Sequence, residues 1–333
     1  MVFRRGRKNG RRFIKENVNV NMPKLIDVEE KSLFGLKVDK ENDEVFFNDE
    51  KHEYRNKKDG SKYISVTTLI HDYQTPYDSN FWSSYKACEA LMDQTSWSVL
   101  KPILLQTKIW NNKFLTTYKI NESDFQKKKQ EILNSYEEKR NKSCEIGTAI
   151  HLEKELEYYN GEPDVKKFGL GGKFICEKGH YQLDLDKGVY PEFLISHDFG
   201  NGLRISGQLD MFIKDGNDIY IYDYKTNDSI DKQSYFDRKT KTYQMLKYPL
   251  NNIMDCNFMI YSLQLSTYFY LLKQKNPDFV LKKLALIHID KSTRKETVYE
   301  CEYLEEDVKR MLKHHQAKIA QTDVVNRDKP IIF

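Results

Sequence analysis

Apolar and polar positions along the chain change period several times, and each change marks an element. Residues 44–66 alternate over short stretches. Val45-Phe46-Phe47, His52-Glu53-Tyr54 and Tyr63-Ile64-Ser65 read as strands separated by the turn-rich Asn48-Asp49-Glu50 and Asp59-Gly60. A helical stretch begins near Thr67 and is interrupted by Pro76. Residues 79–145 read as mostly helical with a break at Asn111-Asn112, and their very charged part, 122–142, reads as a solvated helix face. Ile146, Ile150 and Leu156 recur near helical spacing, which predicts a helix from Ser143 to about Tyr159 with Gly161 as its stop signal. After an irregular, glycine-rich 168–188 come three strands, roughly 189–199, 203–214 and 218–225. A polar, basic 228–250 closed by Pro249 follows, then a helix near 258–275, strands at about 282–290 and 296–302, and a helix near 304–320. With no internal repeat and no low-complexity linker, this order predicts one α/β domain with an N-terminal helical extension.

Two of these strands concentrate the chemistry. Gly207-Gln208-Leu209-Asp210-Met211-Phe212-Ile213 and Ile219-Tyr220-Ile221-Tyr222-Asp223-Tyr224-Lys225-Thr226 flank Asp215-Gly216-Asn217-Asp218. Gly-Asn is a pair that favours a two-residue hairpin loop. With Gly216 and Asn217 as the loop, Asp215 pairs with Asp218 and all paired residue numbers sum to 433. Asp210 and Asp223 then lie opposite one another on one face, with Cβ atoms about 5 Å apart. Facing carboxylates on apolar strands repel, and a divalent cation removes the repulsion. Strand alternation returns Lys225 to the same face. Two oxygen ligands and an ammonium suit Mg²⁺ or Mn²⁺ and an activated water. The alternatives are a pair of surface acids, or a three-residue loop that moves Asp210 off the pair.

Composition narrows the setting. Hydrophobic residues make up 39% of the chain and aromatics 13%, including 22 Tyr and 18 Phe. The aromatic content makes a sizeable core affordable, and tyrosine also offers a hydroxyl or a stacking face to a wet groove. The net charge of +4 is mild, but residues 4–15 hold Arg4, Arg5, Arg7, Lys8, Arg11, Arg12 and Lys15 with no acid among them. Such a run is either a solvated tail that meets polyanions through counterion release or an organellar transit peptide. No apolar run approaches the roughly 18 residues of a membrane span, and no secretory signal is visible, so no membrane partner is expected. The five cysteines, Cys88, Cys144, Cys176, Cys256 and Cys301, form no C-x-x-C pair. That pattern predicts free thiols in a reducing compartment and argues against zinc or iron–sulfur ligation. A cytoplasmic location is expected, with an organellar matrix as the alternative.

Five segments in one order extend the picture: GTAIH at 147–151, PEF at 191–193, GQLDMF at 207–212, DYKT at 223–226 and QLSTY at 264–268. In that order and spacing the sequence resembles the PD-(D/E)XK nuclease superfamily, in its RecB-like branch of exonucleases. The earlier YISVTTL at 63–69, followed by Pro76, Phe81 and Trp82, is similar to the entry segment of phage and mitochondrial single-strand exonucleases of that branch. The resemblance implies a restriction-endonuclease-like core, a central mixed sheet flanked by helices, and a metal-dependent deoxyribonuclease using Mg²⁺ or Mn²⁺. It implies His151 as a metal ligand from the helix before the sheet, and Asp210 and Asp223 as the residues that hold the metal. The Tyr224 backbone carbonyl would be a further ligand. Lys225 would orient or help deprotonate the attacking water and offset charge at the scissile phosphate. Relatives with an iron–sulfur cluster bracket the core with four cysteines; the scattered cysteines depart from that pattern, so no cluster is expected.

Three further groups surround this set. With a three-residue loop at Gly200-Asn201-Gly202, paired numbers sum to 402 and Glu192 sits across from Asp210. There it touches a second metal through water, orients Lys225, or is a plain surface glutamate. Gln264 and Tyr268 share one helix face; Gln264 is expected to hydrogen-bond near the site, and Tyr268 to contact phosphate, stack a base or pack in the core. Lys232, Arg238, Lys239, Lys241 and Lys247 are interleaved with Tyr235, Phe236 and Tyr243, which suits single-stranded DNA or is simply a solvated basic loop. Ser65, Thr67 and Thr68 read as a helix cap, with Thr67 and Thr68 as DNA contacts if that terminus receives a phosphate.

These readings divide the chain into a basic disordered tail at 1–24, a strand/helix region at 25–142 contributing to the DNA groove, and a nuclease core at 143–333. The expected activity is an exonuclease on single-stranded or end-containing DNA in replication, recombination or repair, with a phage-encoded enzyme in a bacterial host among the sources. The alternatives are a structure-selective endonuclease with the same site and a noncatalytic DNA-binding or virion-associated protein.

Overall fold

The computed structural model describes residues 42, 44–48, 51, 53–159, 164–174, 176 and 186–327; the basic tail expected at 1–24 lies outside them. The N-terminal part holds β1 (Val45–Asn48), β2 (Glu53–Asn56), β3 (Lys62–Ser65), α1 (Val66–His71), α2 (Ser79–Leu91), α3 (Gln94–Thr107), α4 (Lys113–Thr117) and α5 (Glu122–Tyr159). Then come β4 (Lys187–Asp198), β5 (Arg204–Asp215), β6 (Asp218–Lys225), the short β7 (Phe236–Asp237) and β8 (Thr242–Tyr243), and α6 (Asn257–Lys275). The chain continues through β9 (Val280–Ile289), β10 (Glu296–Cys301) and α7 (Glu305–Arg327). This is the mixed α/β arrangement expected, a central mixed sheet flanked by helices. Among the described residues no helix is long and apolar enough to cross a membrane.

Helices begin where the sequence supplies caps. The side chains of Ser65, Asp78 and Asp93 accept N–H bonds from the first turns of α1, α2 and α3. Phe81, Tyr85, Trp97, Leu100, Leu104, Leu115 and Phe125 pack together, so the N-terminal helices and the start of α5 bury a core of their own. The charged 122–142 and the stretch from Ser143 are one helix of 38 residues. It runs unbroken through Lys142 and Ser143 because neither is a helix breaker.

The sheet forks at β5. β4 pairs with it antiparallel along its whole length, and paired numbers sum to 402 as the Gly200-Asn201-Gly202 loop predicts. The other edge of β5 is shared: β3 pairs in parallel at Ile205 and Ser206, and β6 pairs antiparallel from Met211 to Asp215. Gly207 to Asp210 lie in the gap between those two partners. Beyond the gap one wing continues through β3 to β2 and β1, the other through β6 to β9 and β10.

A pleat slip occurs beside this gap. Tyr190 shares a core with Phe193 and Ile195, and Phe212 shares it with Ile205 and Leu209. Strict alternation puts residues an odd number apart on opposite faces. Both strands have therefore slipped by one, between 190 and 193 and between 209 and 212. Because the slips are opposite each other, the register survives; the pair skipped in the ladder is Glu192 with Asp210. Glu192 has φ of 49°, the left-handed region, a conformation that costs a non-glycine residue roughly 1–3 kcal/mol.

Helices cover the two faces of the sheet. α6 contributes Leu263, Leu265, Tyr268 and Phe269 to one core, with Ile219 and Ile221 of β6. α5 contributes Ile150 and Tyr158 to the other, with Met211, Ile213, Tyr222 and Tyr224. α5 carries His151 and α6 carries Gln264.

Candidate active site

The 433 register is observed: Asp215 pairs with Asp218 and Met211 with Tyr222. The ladder stops one step short of the acids, at Met211 and Tyr222, so no ladder pairing joins the two. In place of a main-chain bond there, the Tyr224 N–H donates to Asp210 Oδ2 at 2.7 Å. β6 continues past that point against β9 alone, with Asp223 beside Leu286 and Lys225 beside His288. Ending the ladder at the acids opens the strands where two like charges would otherwise be pressed together.

His151 reaches the gap from α5. Its Nδ1 lies 3.4 Å from Asp210 Oδ1. The helix passes beside Thr226 here: a Cβ at position 147 would sit 3.4 Å from Thr226 Oγ1, an ordinary contact. Ligand-capable atoms of His151, Glu192 and Asp210 all lie within 4.8 Å of one another. Glu192, for which the sequence left open a second-metal contact through water, a role in orienting Lys225 or a plain surface position, lies in this group. The slipped pleat brings it there.

Asp223 belongs to the other half of the gap. Its Oδ2 is 2.6 Å from Lys225 Nζ, an ion pair rather than a well-directed hydrogen bond. Gln264 of α6 donates through Nε2 to Asp223 Oδ1 at 3.2 Å and to the Tyr268 hydroxyl at 3.1 Å. The hydrogen bond to Asp223 puts the Gln264 amide in the gap, where its ring neighbour Tyr268 offers no open face. Tyr268 is not placed to stack a base: its side chain is 3% exposed, with its ring over Gly207, where a Cβ would be 2.5 Å from Tyr268 Cε1. Glycine at 207 is what lets the ring close on the strand.

Charges in the gap shift one another. The Asp210 carboxylate, against the cost of burial, pushes His151 up to about 9, with Glu192 and Asp223 adding to it. Burial would raise Asp210, but His151, Lys225 and the Tyr224 N–H together hold it below the usual carboxylate range. Burial and the Asp210 charge push Asp223 up to about 6 despite Lys225. Burial alone would lower Lys225, but Asp223 and Asp210 raise it, so it stays an ammonium.

This donor set fits a divalent cation. Two carboxylates and an imidazole meet within one ion's reach, the oxygen and nitrogen donors that such an ion takes. Two aspects go beyond the reading of the sequence. One is the grouping of Glu192 with His151. The other is Tyr261, whose ring lies under Lys225 Nζ, 4.4 Å from its centroid. The signal for Tyr261 was present: positions 261, 264 and 268 share one helical face.

The remaining DNA candidates lie outside the gap. Residues 236–243 form the β7–β8 hairpin with Arg238, Lys239 and Lys241 exposed in its loop. Tyr235 and Phe236 are 65% and 43% exposed, so both rings are open to a partner. Lys232 Nζ stands 5.1 Å from the Phe258 ring centroid. Thr67 and Thr68 are exposed, and their hydroxyls bond to the capping Ser65.

No curated protein matches the sequence. Two solved structures are similar over most of their length. SSO0001 is 14% identical, with 81% of this chain and 78% of its own covered and a TM-score of 0.31. A protein from Eubacterium rectale named as a candidate exonuclease is 12% identical, covering 81% of this chain and 90% of its own, also at a TM-score of 0.31. At that score neither adds weight. The sequence profile of the PD-(D/E)XK nuclease superfamily matches residues 109–329, a span that contains His151, Glu192, Asp210, Asp223 and Lys225, and on that match the chain belongs to the PD-(D/E)XK nuclease superfamily.

Proposed function

We propose that this nuclease is a Mg²⁺- or Mn²⁺-dependent deoxyribonuclease of the RecB-like branch, acting as an exonuclease on single-stranded or end-containing DNA. The observation that carries the proposal is the convergence of His151, Glu192 and Asp210 within 4.8 Å beside the Lys225–Asp223 ion pair. His151, Glu192 and Asp210 would hold the cation, with Asp223 completing the acidic set. Bound there, it supplies Lewis acidity to the scissile phosphate and to the attacking water.

The chain's own groups do the rest. Lys225 orients the water and offsets the charge that develops on the phosphate. Asp223 holds that ammonium, and Gln264 holds Asp223. The exposed Tyr235 and Phe236, next to Arg238, Lys239 and Lys241, support contact with unpaired bases and their backbone. Such a surface favours single strands, and an end-directed enzyme of this kind serves replication, recombination or repair.

The test is degradation of end-labelled linear single-stranded DNA with Mg²⁺ or Mn²⁺, beside EDTA, a circular control and Asp210→Asn. Loss of the linear strand alone, absent in EDTA and in the variant, is the expected result. Cutting of the circle would replace the exonuclease reading with an endonuclease using the same site. Binding without any cutting would overturn the enzymatic reading.

A further inference from the structure

We infer that Tyr261 is a positioning residue for the Lys225 ammonium, an inference that rests on the nuclease reading above. Lysine carries a flexible four-carbon stem and a compact charge, so a lysine that must act at one point needs more than one restraint. Asp223 supplies one, at 2.6 Å. Alone, it draws the ammonium onto a carboxylate of the acidic set. The second restraint is the Tyr261 ring, with Nζ 4.4 Å from its centroid, well inside the distance at which a cation is attracted by an aromatic face.

The ring is itself held at both ends. Its backbone belongs to α6, the helix that also supplies Gln264 to Asp223. Its hydroxyl donates to Asn227 Oδ1 at 2.8 Å. Asn227 follows Lys225 by two residues, and its main-chain oxygen is 2.7 Å from His288 Nε2, on the strand that pairs with Lys225. One turn of α6 thus presents a ring for the ammonium and an amide for its counter-ion. Motion of α6 would shift both together. The aromatic face, not the hydroxyl, touches Lys225, so phenylalanine should replace tyrosine and leucine should not.

The experiment compares full-length wild type, Tyr261→Phe and Tyr261→Leu. The kinetic readout is kcat and KM on linear single-stranded DNA with Mg²⁺. The second readout is the ε-methylene NMR signal of Lys225 in metal-free, 13C-lysine-labelled protein, assigned by its loss in Lys225→Arg. Tyr261→Leu should lower kcat roughly 10- to 30-fold with KM changed less than about twofold, the size expected of a desolvated cation–π contact. Tyr261→Phe should keep most of kcat. The lysine signal should be shifted upfield by the ring in wild type and Tyr261→Phe, and lose that shift in Tyr261→Leu. Unchanged kcat in Tyr261→Leu, or no ring shift in wild type, overturns the inference while leaving the nuclease reading intact. Wild type that cuts no DNA overturns both.

Discussion

Replacing Asp223 by Asn removes a charge that the metal-free fold tolerates at a cost. Burial and the neighbouring Asp210 charge lift the Asp223 carboxyl from 3.8 to about 6, even with Lys225 alongside. The folded state therefore prefers this acid protonated. Below the unfolded value of about 4 both states carry the proton and nothing is lost. As pH rises from about 4 the unfolded chain gives up this proton while the folded state keeps it, so stability falls until the folded state ionises as well, at about 6. A rise of about two in pKa corresponds to about 3 kcal/mol, all of it lost to the fold above about pH 7. Lys225 has already been counted, because its attraction lowers the value that remains.

Asn preserves the shape but cannot ionise; turned with its oxygen toward Lys225 it still gives the ammonium an acceptor, and the Gln264 amide can flip to accept from its NH2. In EDTA at about pH 7.5, Asp223→Asn should be more stable than wild type by about 2–3 kcal/mol, on the order of 5 °C in Tm for a chain of this size. The gain should shrink toward zero near pH 4. Added Mg²⁺ should raise the Tm of wild type and move the variant much less. Thermal unfolding across that pH range, with and without Mg²⁺, reads all of this. A variant less stable than wild type in EDTA at about pH 7.5 would refute the reasoning, as would a gain that ignores pH.

Three other outcomes follow from the same geometry. Lys225→Ala should lower the cutting rate by roughly 100-fold or more while Mn²⁺ and DNA binding, followed by calorimetry, stay near wild type; retained cutting would remove Lys225 from the mechanism. His151 is raised to about 9, so its protonated form stabilises the metal-free fold fully below about 6.5 and loses that contribution as pH passes 9. A cation must displace this proton. Mn²⁺ affinity should therefore climb by up to about tenfold per pH unit between about 7 and 9, and a flat titration would exclude His151 as a ligand. Gly207→Ala would place a Cβ 2.5 Å from Tyr268 Cε1. It should cost roughly 1–3 kcal/mol in denaturant unfolding and reduce cutting through the Tyr268–Gln264–Asp223 chain.

Hairpin registers were legible because short-range chemistry sets them. Gly216-Asn217 determines the 433 pairing and Gly200-Asn201-Gly202 the 402 pairing, whatever the rest of the chain does. The same local logic marked the strands, the helix carrying His151 and the return of Lys225 to the side of Asp223. Regular alternation, however, contains no information about where it breaks. The slip at Glu192 and Asp210 lies where β3 and β6 leave a gap on one edge of β5, and that slip brings Glu192 to His151. Burial of Tyr268 likewise depends on α6 closing over Gly207, a contact between residues far apart in sequence. The sequence by itself determined the elements, their local registers and the residue types that converge. Tertiary packing alone decided which carboxylates share a cation's reach and which one pairs with the lysine, because both depend on where the ladders on β5 stop and on which side chains of the flanking elements reach that gap.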